Sequence, residues 1–327
     1  MQLTCTDIRK DTCDVTTYWF EANSEMDFIP GQFLPLEVDI DGETHQRCYS
    51  LASLPGDKQC SLTIKRVAGG RVSNYLADRF SVGDTLNSGL AAGDFNLNLV
   101  NQQPLLMLSA GCGITPVYSM LLARLADEPL ADIVFIHSAS TPNDRIYVAE
   151  LEALAAKHSN LQLIWSVSRD DENNLYSGRL CQELLQSQVS DVASRSVLMC
   201  GPNAYMESAK AWFDSLGVNP QRVFHEQFNA VIEKSAVAGG DSTHTLSVNG
   251  SEVSIAEDET VLEALEKEGL PIFAACRAGV CGSCRCKGDK EKLLSSTTGP
   301  LSADDIEQGY FLACASQVKD DMFVEIG

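Results

Sequence analysis

Positive charge is scarce in this 327-residue sequence: 24 Lys and Arg stand against 45 Asp and Glu, a net charge of −21. Such a chain repels nucleic acid and anionic membranes, so neither is expected as a partner. It would be drawn to a basic docking face on another protein, and a monomer or weak oligomer is expected. Long apolar runs are also lacking. The longest uncharged stretch, 95–123, has the length of a membrane span. It is broken by Asn96, Asn98, Asn101, Gln102, Gln103, Pro104, Gly111, Gly113 and Pro116, which reads as loop, strand, glycine turn and helix. No transmembrane segment is expected. The N-terminus, MQLTCTDIRKDTCDV, has no basic region followed by an apolar run, so no secretion signal is expected and the cytoplasm is the expected location. There are no internal repeats. The 44% hydrophobic and 21% charged fractions are those of an ordinary globular protein, and the length suits two or three domains.

The first hundred residues read as short strands between turns. GQFLPLEVDI, CYSLAS and CSLTIKRV are rich in alternating apolar and β-branched residues, and Asp41-Gly42 and Pro55-Gly56 supply the turns. An antiparallel β-barrel or sandwich is expected. Near Pro104 the pattern changes. LLMLSA, ADIVFIHSA, LQLIWSVS and SVLMCG are continuous apolar runs that alternate with helical stretches such as VYSMLLARLADE, YVAELEALAAKH and YMESAKAWFDSLG. That alternation predicts an α/β domain with a parallel sheet. Residues 231–242, VIEKSAVAGGDS, read as a linker. THTLSVNG and SEVSIAE then predict a hairpin turning at Asn249-Gly250, and ETVLEALEKEG a short helix. The expected domains are 1–102, 103–230 and 243–327, joined by a 231–242 linker.

Twelve cysteines are present, and Cys276, Cys281, Cys284, Cys286 and Cys314 fall in the last fifth of the chain. Without a secretion signal disulfides are not expected, and clustered thiols point to metal. Cys276, Cys281, Cys284 and Cys314 make a C-x₄-C-x₂-C…C pattern, the spacing of a plant-type [2Fe–2S] cluster. Gly279 and Gly282 permit tight turns and leave backbone N–H groups for sulfur. A zinc site is the plainer alternative, but zinc usually takes two separate C-x₂-C pairs. Cys286 is read as a packed thiol. AACRAGVCGSC with LAC at 312–314 resembles a plant-type ferredoxin domain, which implies a β-grasp (α+β) fold over 243–327.

Arg47-Cys-Tyr49-Ser50-Leu51 ends a predicted strand and resembles the R-x-Y-S motif of the ferredoxin–NADP reductase superfamily. Arginine can fork onto a phosphate, tyrosine can stack on a flavin ring, and serine can hydrogen-bond near flavin N5. Gly70-Arg-Val-Ser73 resembles the phosphate loop of the same superfamily, opening the helix SNYLADRF, whose N-terminus suits a pyrophosphate. Taken singly, Tyr49 could be a barrel residue and Ser73 an ordinary helix cap. FAD is the expected flavin, with FMN the alternative.

Gly111-Cys-Gly113-Ile-Thr115-Pro116 follows the buried strand LLMLSA. Glycines let the backbone approach a pyrophosphate; Thr115 is expected to cap a helix, with Pro116 at its first position. A third glycine is lacking, which argues against a Rossmann dehydrogenase and matches the G-x-G-x-T-P of the reductase superfamily. Cys200-Gly201-Pro202 resembles its CGP motif, which implies a cysteine beside the nicotinamide ring; an inert buried thiol is the alternative. His225-Glu226-Gln227-Phe228 resembles the end of the reductase module, which implies an aromatic, Phe228, near the flavin. Ser168-Arg169 resembles the 2′-phosphate clamp of NADPH-linked members, whereas Asp170 and Asp171 would repel that phosphate.

In the order flavin, nicotinamide, ferredoxin, and with SAGCGITP, GRLCQELL and AACRAGVCGSC, the whole chain is similar to the NADH oxidoreductases that serve hybrid-cluster proteins. The resemblance implies NADH as donor, with NADPH as the alternative. It also implies hydride transfer to FAD, with Ser50 and Cys200 beside the reacting atoms, and single electrons passed through [2Fe–2S] to a hybrid-cluster protein. The reductases of Rieske-type oxygenases and demethylases share this chemistry and differ in acceptor. A reading of another class is a redox or nitric-oxide sensor. From His244 onward about 15 acidic residues face about 7 basic ones, so the acceptor is expected to dock through a basic face.

Overall fold

A computed structural model describes residues 1–100, 104–169, 176–228, 243–248, 250–270, 272–277, 279–298 and 300–326. The chain divides into two compact units, Met1–Glu226 and Gln227–Gly327.

The first unit opens with β1 (Gln2–Lys10), β2 (Val15–Ala22), β3 (Phe33–Ile40), β4 (Glu43–Ser50) and β5 (Cys60–Lys65), then helix α1 (Arg71–Arg79) and β6 (Thr85–Ser88). These strands form an antiparallel sheet in the order β4-β3-β6-β1-β2-β5. Asp41 and Gly42 both take positive φ, 54° and 89°, so a two-residue turn pairs Ile40 with Glu43, as hairpin twist requires. Along β3 alternate residues Leu34, Leu36, Val38 and Ile40 are buried, the period-2 signature of a one-sided strand. A bridge between Leu51 and Leu62 joins the two ends of the sheet and closes a barrel around Leu3, Tyr18, Phe20, Leu36 and Leu62. Val72 and Leu76 of α1 pack into that core.

A second sheet follows, built from β7 (Leu105–Ala110), β8 (Ile133–Ala139), β9 (Leu161–Val167), β10 (Tyr176–Ser177), β11 (Ser196–Cys200) and β12 (Val223–Glu226). All its pairings are parallel, in the order β10-β9-β8-β7-β11-β12. Met107, Phe135 and Trp165 face α2 (Ile114–Asp127) and α3 (Val148–Lys157). Leu108, Ile136 and Met199 face α4 (Gln182–Gln188) and α5 (Asn203–Ser215). Both faces are covered, so the strands are apolar throughout, as the runs in the sequence predict. The strand order reverses between β7 and β11, and in open parallel sheets ligands bind outside the strand C-termini at such a point. Residues 111–116 and 200–202 both lie there.

The second unit holds β13 (Thr243–Val248), β14 (Ser251–Ala256), α6 (Val261–Lys267), β15 (Arg285–Gly288), β16 (Leu293–Ser295), α7 (Ala303–Glu307), β17 (Tyr310–Leu312), β18 (Ser316–Val318) and β19 (Met322–Ile326). Its main sheet runs β14-β13-β19-β15-β17, with β13 and β19 parallel and the other neighbours antiparallel. Val248 pairs with Ser251, as the expected hairpin requires; Asn249 of the expected turn lies outside the described residues. Thr260 and Glu263 cap each other's backbone at the start of α6, and Val261, Leu262 and Leu265 of that helix cover the sheet. The expected linker, 231–242, and the first domain boundary at 102 lie outside the described residues. Among the described residues no helix is long and apolar enough to cross a membrane.

Candidate functional site

Arg47 and Tyr49 are two residues apart on β4 and so share one face, while Ser50 turns to the other. Tyr49 packs on the barrel core, and burial pushes its phenol well up although the Arg47 charge opposes this. Arg47 Nη1 donates to the Gln46 carbonyl at 2.6 Å. Ser50 and Leu51 are buried. Helix α1 begins at Arg71 with Gly70 at its cap and no side-chain cap bond, so its leading N–H groups are left for another acceptor. Ser73 is therefore not the cap. It is the third helical residue, and its Oγ accepts from Val67 N at 3.2 Å to fasten the preceding loop. A Cβ at Gly70 would lie 2.6 Å from that Oγ. This tight, uncapped turn fits a pyrophosphate.

The expected helix start after β7 needs correction. A 3₁₀ turn over Gly111–Gly113 leads straight into α2 at Ile114. Thr115 is thus the second helical residue, not the cap, and Pro116 the third. Thr115 Oγ1 donates to the Cys112 carbonyl at 3.0 Å and fixes the loop from inside. Gly111 has φ 52°. Gly113 lies against the next strand end: a Cβ there would come within 2.3 Å of the Cys200 carbonyl oxygen. The 111–116 and 200–202 segments are thereby brought together. Cys112 Sγ lies 3.8 Å from the Thr63 carbonyl of β5, so the barrel wall reaches the same place.

Cys200 is completely buried, and desolvation, helped by the Glu226 charge, pushes its thiol well above the usual range. Glu226 pairs with Cys200 across β11 and β12. Burial raises its carboxyl to about 8, and Oε2 has no partner among the described residues. A buried carboxyl beside the strand C-termini is placed to accept from, or donate to, a ligand bound there. Sequence reasoning passed over Glu226 in favour of Phe228, although an acidic residue ending an apolar strand was the available signal. Phe228 belongs to the second unit and is 39% exposed. Ser168 Oγ donates to the Ser140 carbonyl at 3.3 Å, and Arg169 N donates to the same oxygen at 2.9 Å. This pair is held at the end of β9 with the Arg169 side chain exposed. Asp170 and Asp171 lie outside the described residues.

In the second unit the cysteine loop folds on its own sulfurs. Cys276 N donates to Cys281 Sγ (3.4 Å), Val280 N to Cys276 Sγ (3.4 Å), Gly279 N to Cys314 Sγ (3.2 Å) and Cys314 N to Cys284 Sγ (3.4 Å). Each of the four thiols accepts one backbone N–H, which stabilises thiolate. Cys314 also lies against the side chains of Cys276 and Cys284, and these contacts push the Cys284 thiol down and that of Cys314 up. Gly279 has φ 72°, and a Cβ there would lie 2.4 Å from Thr297 Cγ2. The donor set fits two irons with thiolates divided between them. Cys276 and Cys281 are half-buried and Cys284 and Cys314 buried, so one side of the cluster would face outward. Cys286 is buried between Phe311 and Ile326 of the neighbouring strands, the packed thiol expected.

Family models match along most of the chain: an oxidoreductase FAD-binding domain over 3–96, an oxidoreductase NAD-binding domain over 107–211, and a 2Fe-2S iron-sulfur cluster binding domain over 246–319. The sequence is 33% identical to the glycine betaine monooxygenase reductase subunit of Chromohalobacter salexigens, covering 98% of this chain and 94% of that one. It is also 33% identical to the NADH oxidoreductase HCR of Escherichia coli, covering 96% and 94%. Phthalate dioxygenase reductase shares the fold, with a TM-score of 0.68 at 20% identity over 100% of this chain and 98% of its own. With FAD, NADH and [2Fe–2S] as its cofactors, the chain belongs to the NAD(P)H-dependent oxidoreductases of the ferredoxin–NADP reductase superfamily that carry a C-terminal ferredoxin domain.

Proposed function

We propose that this reductase supplies electrons from NADH to a hybrid-cluster protein in the cytoplasm. When bound, FAD would supply two-electron hydride acceptance and the cluster one-electron release. The observation that carries the reading is the meeting of the 111–116 loop, the Cys200–Pro202 turn and the Thr63 carbonyl at the switch point of the parallel sheet. In this reading Arg47, Gly70 and Ser73 hold the flavin pyrophosphate, Tyr49 and Leu51 flank the ring, and Ser50 bonds near its N5. Gly111, Gly113, Thr115 and Pro116 cradle the nicotinamide pyrophosphate. Cys200, Gly201 and Pro202 set the nicotinamide ring, and Glu226 bonds its polar edge. Ser168 and Arg169 receive the adenosine ribose. Cys276, Cys281, Cys284 and Cys314 hold the irons. The domain limits are taken as 1–102, 103–230 and 243–327.

The acceptor is favoured by the similarity to the NADH oxidoreductase HCR over 96% of the chain. A second reading, reductase of a Rieske-type oxygenase or demethylase, is favoured by the glycine betaine monooxygenase subunit and by the 27% identical reductase subunit of the stachydrine N-demethylase of Rhizobium meliloti. The test is anaerobic mixing of the NADH-reduced protein with purified hybrid-cluster protein, and separately with a Rieske oxygenase. Rapid catalytic reduction of the first and slow reduction of the second is the expected result. The reverse ranking, with flavin and cluster both reduced by NADH, would move the oxygenase to first place. A kcat/KM with NADPH equal to that with NADH would contradict the choice of donor.

A further inference from the structure

Tyr147 stands just before α3 in the left-handed region, φ 58° and ψ 36°, a conformation that a non-glycine residue keeps only when its surroundings demand it. The demand comes from the barrel. Its buried hydroxyl meets Thr63 Oγ1 of β5, 84 residues away. Thr63 Oγ1 lies 2.5 Å from Thr17 Oγ1 of β2, and Thr17 Oγ1 donates to Asp11 Oδ2 at 2.6 Å. Each hydroxyl has one hydrogen, so the direction is fixed: Tyr147 donates to Thr63, Thr63 to Thr17, Thr17 to Asp11. The chain then closes on itself. Asp11 Oδ1 accepts from Arg9 Nε (3.0 Å) and Nη2 (2.7 Å), and Arg9 Nη1 pairs with Glu150, three residues beyond Tyr147. The result is a ring of polar contacts with two limbs, both ending on the first turn of α3.

A cleft of about 420 Å³ opens beside the ring, lined among others by Trp19, Ser53, Tyr118 and Leu122. Barrel and nucleotide sheet also meet through Ser119 Oγ, which donates to the Ser53 carbonyl at 2.9 Å, through Val15, Ala52 and Phe95 in the shared apolar cluster, and at Gly31, where an added Cβ would lie 2.3 Å from Met120 Cε. Thr63 has a second role. Its side chain holds Tyr147, while its carbonyl meets Cys112 between Gly111 and Gly113. The ring is thus anchored at the residue that also touches the nicotinamide loop.

We propose that Tyr147 and Thr63 are positioning residues: their hydrogen bond sets the distance between the flavin held by the barrel and the nicotinamide held by the parallel sheet. Hydride transfer needs near-contact geometry, so a small displacement here costs rate and not affinity. The inference rests on transfer from nicotinamide to flavin and is independent of which protein takes the electrons.

The test is anaerobic stopped-flow reduction of the flavin by NADH and by its 4-deuterated form, over a range of temperatures, in the full-length holoprotein. Tyr147→Phe and Thr63→Val should each slow flavin reduction at saturating NADH about tenfold, leave the apparent Kd for NADH unchanged, and make the isotope effect more temperature-dependent. Thr63→Ser, which keeps the hydroxyl, should behave as wild type. The double variant Tyr147→Phe/Thr63→Val should be no slower than the slower single one, because the two residues share one bond. Wild-type rates and isotope effects in both single variants would overturn the proposal, as would a Thr63→Ser variant as slow as Thr63→Val. If Tyr147→Phe does not retain flavin, Glu150→Gln on the other limb is read by the same criteria.

Discussion

Gly113 rests on Cys200: a methyl group at Gly113 would come within 2.3 Å of the Cys200 carbonyl oxygen. A backbone oxygen cannot swing aside as a side chain can. Gly113→Ala should therefore force the 111–116 loop off the end of β11, at about 1–3 kcal/mol. Because the displaced loop is the one assigned to NADH, the apparent Kd for NADH should rise together with a fall in Tm. Calorimetry and NADH titration check both. An alanine variant with unchanged Tm and Kd would contradict the close approach.

Glu226 makes stability depend on pH. Its carboxyl, near 4.5 in an ordinary chain, is raised by burial to about 8. Below about 4.5 it is protonated in both folded and unfolded chains. Between the two values the unfolded chain releases a proton that the folded chain keeps, so stability falls as pH rises, and the fall levels off above about 8. Glu226→Gln should flatten that part of the curve. Thermal melts of both proteins between about pH 5 and pH 9 test this; parallel curves would remove Glu226 as the cause.

Cys286 and the four clustered cysteines should respond differently. Cys286 lies on β15 inside the ferredoxin core, so Cys286→Ala should keep the full iron content and visible spectrum and lose about 1 kcal/mol of stability. Loss of iron in this variant would make Cys286 a ligand and reopen the assignment of the set.

Charge should govern docking. Of the surface cations in the second unit, Arg277 pairs with Glu266, Arg285 with Asp305 and Lys292 with Asp320, which leaves the acidic excess of the segment after His244 to be met by a partner. Reduction of the acceptor should slow about tenfold or more between low and physiological ionic strength. A rate insensitive to salt would rule out a basic docking face.

The parts legible in the sequence were those written locally. C-x₄-C-x₂-C, the Asp41-Gly42 turn, and the four apolar runs of the parallel sheet each occupy a few consecutive residues. Strands β1, β2 and β6 escaped notice because QLTCTDIRK and VTTYWFEA mix polar with apolar residues and TLNS is too short to show a period. Thr115 was read as a cap by residue type, and a cap was the plainer alternative for Ser73, but the helices begin one residue before Thr115 and two before Ser73, and each hydroxyl fastens the loop instead. Glu226 looks like any charged residue until its neighbours on β11 bury it. The bond from Tyr147 to Thr63 joins residues 84 positions apart, and no local pattern encodes it.

The central claim is that electrons leave through the cluster held by Cys276, Cys281, Cys284 and Cys314. Cys314→Ser tests it most directly, with NADH as donor and with ferricyanide and cytochrome c, a basic one-electron protein, as parallel acceptors. The variant should reduce ferricyanide from its flavin at close to the wild-type rate and lose most of its activity toward cytochrome c. Undiminished reduction of cytochrome c by a variant shown to lack its iron would contradict the account.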